Sequence, residues 1–260
     1  MKRGGPVVSQ SAQFEDLRSA RVLITGGASG IGAALVAGFA RQGAKVAFVD
    51  IDGKAAETTI KFVDAPYTPR FRPVDVSDIE ATRAAVTDLI STLDGLDVLI
   101  NNVGWDDRHD AEQVTEAYWD RNMSVNLRAA FFISQTCLPA LKKSGRGAII
   151  NFSSIAFMMN LPDLPVYLTA KSGMIGMTKA LAGQFGKDNV RVNAILPGMV
   201  LTERQKELWI SDQAEAAHRD RQCLKFSLTA EDMVGPCLFL ASDSARAITA
   251  QSLIVDGGYF

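Results

Sequence analysis

The sequence predicts one open doubly wound α/β domain, a parallel sheet of about seven strands with helices on both faces. Three observations lead there. Short apolar runs alternate with helix-like stretches from about residue 19 to the end of the chain. Most of those runs are apolar throughout, as expected of strands buried on both faces of a parallel sheet. The first of them, Val22-Leu23-Ile24, opens into the glycine-rich stretch Thr25-Gly26-Gly27-Ala28-Ser29-Gly30-Ile31-Gly32, which leads into helix formers without proline.

In chain order, strands are expected at 21–24, 45–49, 70–74, 98–100, 148–152, 191–195 and 252–255, and helices include 79–93, 125–143, 166–186 and 230–241. The crossovers between parallel strands should be right-handed. Residues 1–18 read as a flexible polar tail, and 19–260 as the domain. Residues 199–228 break the alternation; polar and mixed, they read as a substrate loop or lid beside a site. With 260 residues, 47% of them hydrophobic, the chain can bury a large core without disulfide or metal staples.

Composition removes several classes of function. A net charge of −2 and the lack of a Lys/Arg run argue against a nucleic-acid partner. No apolar run approaches the ~20 residues that span a bilayer, and the N-terminal stretch has no apolar export core. Cys137, Cys223 and Cys237 are odd in number and scattered, which points to a reducing, cytoplasmic setting without disulfides. Neither they nor the two histidines show metal-ligand spacing, so no metal is expected.

In open α/β sheets ligands bind outside the carboxyl ends of the strands. At the first strand end, glycines let the backbone approach a ligand closely, and the helix N-terminus beyond offers free N–H groups and partial positive charge to an anion. Asp50 ends the second run, where a carboxylate can accept from adenosine ribose hydroxyls. Gly26, Ser29, Gly30, Ile31, Gly32 and Asp50 are therefore candidates for a dinucleotide site. After the third run, Asp75-Val76 suits an adenine amino group and ring; Asp75 as a helix cap is the other reading. Asn101-Asn102-Val103-Gly104 follows the fourth run, with Asn102 and Gly104 beside the cofactor. Asn151-Phe152-Ser153-Ser154 brings hydroxyls to the same edge after the fifth. Tyr167 and Lys171, four apart on an expected helix, share a face. A phenol ordinarily titrates near ~10, and a neighbouring cation favours its phenolate, which makes Tyr167 a candidate base for a hydroxyl proton.

Jointly, TGGASGIG, NNVG, the Ser154, Tyr167 and Lys171 set, Pro197-Gly198 and Ile254-Val255-Asp256-Gly257-Gly258 resemble the short-chain dehydrogenase/reductase family, over roughly residues 20–260. The resemblance implies a Rossmann-type fold, a nicotinamide cofactor and a homotetramer. It assigns Ser154 to the substrate oxygen and Tyr167 to proton transfer. Lys171 would hold the nicotinamide ribose and lower the tyrosine pKa, and Asn126 would position a proton-relay water. Pro197, Gly198, Val200 and Thr202 complete the implied cofactor site. The family's Ser-to-Tyr spacing of thirteen selects Ser154 over Ser153. Two positions depart from the family pattern: Val103 replaces the usual alanine of NNAG, and Ala250 stands where glycine is usual.

A narrower resemblance lies in Trp105-Asp106-Asp107-Arg108-His109, Ala117-Tyr118-Trp119-Asp120, Thr202-Glu203-Arg204-Gln205 and Gln222-Cys223-Leu224-Lys225. These stretches are similar to the branch that oxidises free sugars at C1, the xylose, arabinose and galactose 1-dehydrogenases. It implies an aldose substrate, a monosaccharide held by Trp105, Asp106, Arg108, His109, Asn160 and Arg204 beside Ser154 and Tyr167. A sugar's many hydroxyls each need a partner when desolvated, and a loop carrying Asp, Arg, His and a flat Trp face supplies them. Asp50, with no basic residue at Ser29, favours NAD over NADP. The alternatives are a polyol, steroid or 3-oxoacyl substrate on the same machinery, or a dinucleotide-sensing protein without turnover.

Overall fold

Seven strands run parallel in the order β3-β2-β1-β4-β5-β6-β7. They are β1 Arg21–Thr25, β2 Lys45–Asp50, β3 Arg70–Pro73, β4 Val98–Asn101, β5 Ala148–Phe152, β6 Arg191–Pro197 and β7 Ser252–Val255. The helices between them are α1 Gly30–Arg41, α2 Gly53–Phe62, α3 Ile79–Leu93, α4 Glu116–Met123, α5 Ala129–Ser144, α6 Pro165–Phe185, α7 Glu203–Leu208, α8 Asp212–Arg221 and α9 Val234–Ala241. This is a computed structural model, and it describes residues 12–260. Among the described residues no helix is long and apolar enough to cross a membrane.

Side-chain parity on the strands builds the two layers. Val22 and Ile24 of β1, with Val46 and Phe48 of β2, join Leu35, Phe39 and Leu238 of α1 and α9 in one core. Leu23, Ala47, Val49 and Leu99 point the other way, into a core with Val86 and Leu89 of α3, Ile133 of α5 and Leu181 of α6. Each such side chain taken out of water contributes about 1.5–3 kcal/mol, which is why continuous apolar runs specify these strands.

Local chemistry sets the ends. Asp78 caps α3 by accepting from the Ala81 amide (3.0 Å), and Asp94 ends it in the left-handed region at φ 59°. Asp52 caps α2 through the Lys54 and Ala55 amides, both at 3.0 Å. Away from the strands' carboxyl ends, Arg21 and Asp97 form a two-pronged ion pair (2.7 and 2.9 Å) that ties β1 to β4.

Three expectations need correction. Of the expected tail, residues 1–11 lie outside the described residues, but 12–18 are tied to the domain through Phe14, Asp16 and Leu17. Leu17 is fully buried, the Phe14 amide donates to Gln42 (2.8 Å), and Asp16 accepts from the Asp243 amide (2.9 Å). Phe14 and Leu17, apolar and three apart in a polar stretch, give that segment something to bury. Second, 199–228 is not one irregular loop: it folds α7 and α8, capped by Thr202 and Ser211. Its base is closed where Leu201 donates to the Leu228 carbonyl (2.8 Å). Third, the helix expected at 125–143 begins as a π turn, Ser124–Arg128, continuous with α4 before α5. The helix expected at 230–241 likewise opens with a 3-10 turn, Ala230–Met233, ahead of α9.

Candidate active site

One cleft of about 1320 Å³ lies along the carboxyl ends of the strands, between the β1–α1 turn and the α7–α8 excursion. At one end is the glycine turn. Gly26 and Gly30 have φ of 70° and 52°, and a Cβ on Gly32 would fall 1.7 Å from the Gly26 carbonyl oxygen, so only glycine fits there. Ser29 is the N-cap of α1 but its side chain makes no capping bond, and Ser29, Gly30 and Ile31 line the cleft. Asp50 braces the turn: its carboxylate accepts from the Ala28 amide (2.9 Å) and the Asp52 amide (3.1 Å). Asn102 holds it from the other side, donating to the carbonyls of Thr25 (3.1 Å) and Gly26 (3.0 Å).

Asp75 and Val76 line the same cleft. Asp75 accepts from the Ser77 amide (2.9 Å) and hydroxyl (2.7 Å), while Asp78 does the capping of α3, so the reading of Asp75 as the helix cap does not hold. Gly104 lies deeper, where a Cβ would come 3.5 Å from the Lys171 ammonium. Pro197, Gly198, Val200 and Thr202 form the opposite wall. A Cβ on Gly198 would meet the Asp256 backbone at 2.8 Å, which fixes that turn against β7. These residues fit a dinucleotide: a glycine cradle, an uncapped helix start for an anion and a carboxylate for hydroxyls. The volume exceeds what a small substrate alone would fill.

Ser154, Tyr167 and Lys171 meet on the inner wall. The Ser153 hydroxyl is spent on the Lys171 carbonyl (2.7 Å), whereas Ser154 Oγ accepts only the Ala156 amide (3.1 Å) and faces the cleft. Lys171 is 2% exposed, donates to the Phe152 carbonyl (3.0 Å) and sits 5.5 Å from the centre of the Tyr167 ring. Burial lowers its pKa to about 8, against the opposing pull of the Asp106 carboxylate. Burial, then Asp106, pushes the Tyr167 phenol above its ordinary value, and Ser154 and Arg108 only partly oppose this. Burial, rather than the neighbouring Lys171, thus dominates the Tyr167 pKa. Desolvation penalises the phenolate and weakens the neighbouring cation at once.

Asn126 does not reach the cleft. It lies buried in the π turn, and its side chain is bound to Trp105: the Trp105 amide donates to Oδ1 (2.8 Å), and Nδ2 donates to the Trp105 carbonyl (2.9 Å). Nδ2 also reaches Asn122 Oδ1 (2.9 Å). Its side chain thus holds the start of the Trp105 loop, while Oδ1, with one bond accepted, keeps a second lone pair.

At the mouth, Trp105, Asp106, Arg108 and Arg204 line the cleft. Asp106 accepts from Arg204 (3.2 Å) and from the Gln205 side-chain amide, joining the Trp105 loop to α7. Arg108 pairs with Asp163 (3.4 Å) and lies over the Trp209 ring. Two expected substrate contacts fall outside. Asn160 is exposed and does not line the cleft, and neither does His109, whose ring nitrogens engage Asp107, Tyr118 and Val166. Conversely, Met159, Leu161 and His218 line the cleft without a prior signal. His218, on the polar helix α8, stacks on Tyr259 at 4.2 Å.

A family model described as Enoyl-(Acyl carrier protein) reductase matches residues 26–260. Probable galactose dehydrogenase GalD of Rhizobium meliloti is 54% identical, over 96% of this chain and 98% of its own length. D-xylose 1-dehydrogenase of Caulobacter vibrioides is 44% identical, over 96% and 99%. Among solved structures, a variant of a Serratia marcescens short-chain dehydrogenase/reductase superposes with a TM-score of 0.87 at 30% identity, covering 94% of this chain and 99% of that one.

Proposed function

The chain belongs to the short-chain dehydrogenase/reductase family, and on that premise we propose that it is an NAD-dependent dehydrogenase that oxidises an aldose, in its ring form, at C1 to the aldonolactone. The oxidation removes a hydride from C1 and a proton from its hydroxyl. NAD, when bound, supplies the hydride acceptor. The glycine turn and Asp50 hold the adenosine half, with Asp75 and Val76 at the adenine. Gly104, Lys171 and the Pro197–Thr202 wall hold the nicotinamide half. Ser154 donates a hydrogen bond to the substrate oxygen, and Tyr167 takes its proton. Lys171, charged, stabilises the resulting phenolate, and Trp105, Asp106, Arg108 and Arg204 orient the sugar. Holding both reactants in one cleft supplies a large part of the acceleration.

The observation that carries this reading is the polar mouth. Asp106, Arg204 and Gln205 surround the approach to Tyr167 with hydrogen-bonding groups, which suits a polyhydroxylated ring better than an acyl chain or steroid. The names of the two sugar-dehydrogenase relatives support it. A reducing cytoplasm suits the three free thiols. A homotetramer is the expected assembly, with the exposed small residues Ser172, Gly176 and Ala180 of α6 leaving room for close helix contact, whereas Ala170 and Gly173 pack within the chain. The test is a panel of aldoses, polyols and β-hydroxyacyl compounds with NAD, read at the reduced-nicotinamide absorbance. An aldose should react, with acid release lagging behind NADH as the lactone hydrolyses. Turnover of a polyol or β-hydroxyacyl compound, with every aldose inert, would overturn the substrate; no turnover at all would favour a dinucleotide-sensing protein.

A further inference from the structure

Helix α6 carries both Tyr167 and Lys171, yet it starts without a cap of its own. Its N-cap residue is Leu164, which has no side-chain acceptor, and Pro165 follows at the first helical position. The Leu168 amide is the first to be closed within the helix, onto the Leu164 carbonyl (2.9 Å). Val166 and Tyr167 therefore present orphan N–H groups in the first turn, the part of a helix that frays. Tyr167 stands in that turn, at the third helical position.

His109, 57 residues away in the chain, faces this opening. Its Nε2 lies 3.2 Å from the Val166 amide. Its Nδ1 lies 2.9 Å from the Asp107 carbonyl, which can only accept, so Nδ1 carries the proton and Nε2 offers its lone pair to Val166. A neutral ring suits the positive end of a helix. The ring is itself fixed by Tyr118, whose hydroxyl is 2.8 Å from Nδ1, and the His109 amide donates to the Asp163 carbonyl (3.0 Å). Two bonds thus fasten the 105–109 loop to the segment that enters α6.

We propose that His109 is a positioning residue: it caps α6 from a distant loop and so fixes the turn from which Tyr167 reaches the reacting hydroxyl. It touches neither sugar nor cofactor. The kinetic half of this inference rests on the assignment of Tyr167 as proton carrier; the capping half does not.

Two variants test it. His109→Phe keeps a ring to pack on Tyr118 but has no acceptor, and His109→Gln restores one. With the responsive aldose, His109→Phe should lower kcat by roughly ten- to hundred-fold, the scale of a slightly misplaced group. KM for the sugar and Kd for NAD should stay within about two-fold, and His109→Gln should recover most of kcat. Amide exchange should be about five-fold faster at Val166 and Tyr167 in His109→Phe, the factor a typical lost cap gives, and normal in His109→Gln. A raised KM with kcat intact would make His109 a substrate contact and overturn the proposal, as would unchanged exchange in His109→Phe or failure of His109→Gln to restore it. If His109→Phe does not fold, exchange at Val166 in His109→Gln decides alone: protection as in the unmutated protein supports the cap, and its loss overturns it. If no aldose is turned over, the exchange arm still decides the capping, separately from the fate of the functional reading.

Discussion

Replacing Asp50 with asparagine tests the cofactor assignment at a single charge. Asp50 ends β2 half-exposed at the cleft, and its carboxylate is fixed by the amides of Ala28 (2.9 Å) and Asp52 (3.1 Å). Against an adenosine ribose it can accept from hydroxyls; against the 2′-phosphate of NADP it places like charges together. Two unit charges ~4 Å apart repel by roughly 4 kcal/mol at an effective dielectric of about 20. Partial exposure and salt leave about half, and ~2 kcal/mol is about thirty-fold in affinity. The unmutated protein should therefore prefer NAD by at least about that factor in kcat/KM. Asp50→Asn keeps the shape and a carbonyl for the Ala28 amide, so the preference should collapse by improved use of NADP rather than by loss of NAD. Asp50→Ala should also narrow it, but at a cost to NAD, because the glycine turn loses its brace. Initial rates with both cofactors at saturating sugar give the two ratios. Equal efficiency with NADP before mutation, or an unchanged ratio in Asp50→Asn, would refute the reasoning.

Three further outcomes are expected. Tyr167→Phe should reduce turnover by at least the ~10²–10⁴-fold typical of a lost acid–base group while NAD binding, read by fluorescence, survives. Burial raises the Asp97 carboxyl, but Arg21 and Ser144 more than offset it and hold it at about 2. Its folded pKa is thus below the unfolded ~3.9, so the stabilisation is present above that value and disappears as pH falls toward 2. Asp97→Asn should lower Tm at pH 7 by the equivalent of about 2 kcal/mol, with the gap to the unmutated protein closing in acid. Ala250 sits at φ 60°, a conformation that costs a residue with a Cβ ~1–2 kcal/mol, so Ala250→Gly should raise Tm by about 2 °C after the entropy of the added glycine is deducted; a fall in Tm would count against that strain.

How far the sequence could be read follows from where its information is local. Strands 148–152 and 252–255 and helix 79–93 fall at the expected residues, because apolar runs and a capping aspartate are local signals. Helices α2, α7 and α8 carry caps in Asp52, Thr202 and Ser211 but little to bury: α2 buries only Ala56, and α7 and α8 bury nothing. Apart from Tyr167 and Lys171 on α6, the residues expected around a dinucleotide line one cleft because they sit at or just beyond strand ends, where backbone position decides. Asn160 and His109 miss it because a loop side chain's direction is set by partners distant in sequence, here Val166 and Tyr118 for His109. Asn126 lies in the π turn with its side chain on Trp105, a contact that helical spacing alone does not encode.

Asp106 links the mouth of the cleft to its chemistry. Its carboxylate raises the proton affinity of both Tyr167 and Lys171, and the same carboxylate is the one that Arg204 and Gln205 of α7 hold. A carboxylate paired with a guanidinium presents a dipole to its surroundings, and its field falls off faster than that of a lone charge. With α7 in place, the field opposing the phenolate of Tyr167 is therefore partly cancelled; with α7 withdrawn, Asp106 would face Tyr167 and Lys171 without its counter-charge. For Lys171 the effect is helpful, keeping a buried ammonium charged, and for Tyr167 it is costly, keeping the phenol protonated. If Tyr167 carries the proton as proposed, an intact Asp106–Arg204 contact is the arrangement that opposes its ionisation least. Under the proposed roles of Tyr167 and Lys171, Asp106 thus couples that pair to α7, which it contacts through Arg204 and Gln205.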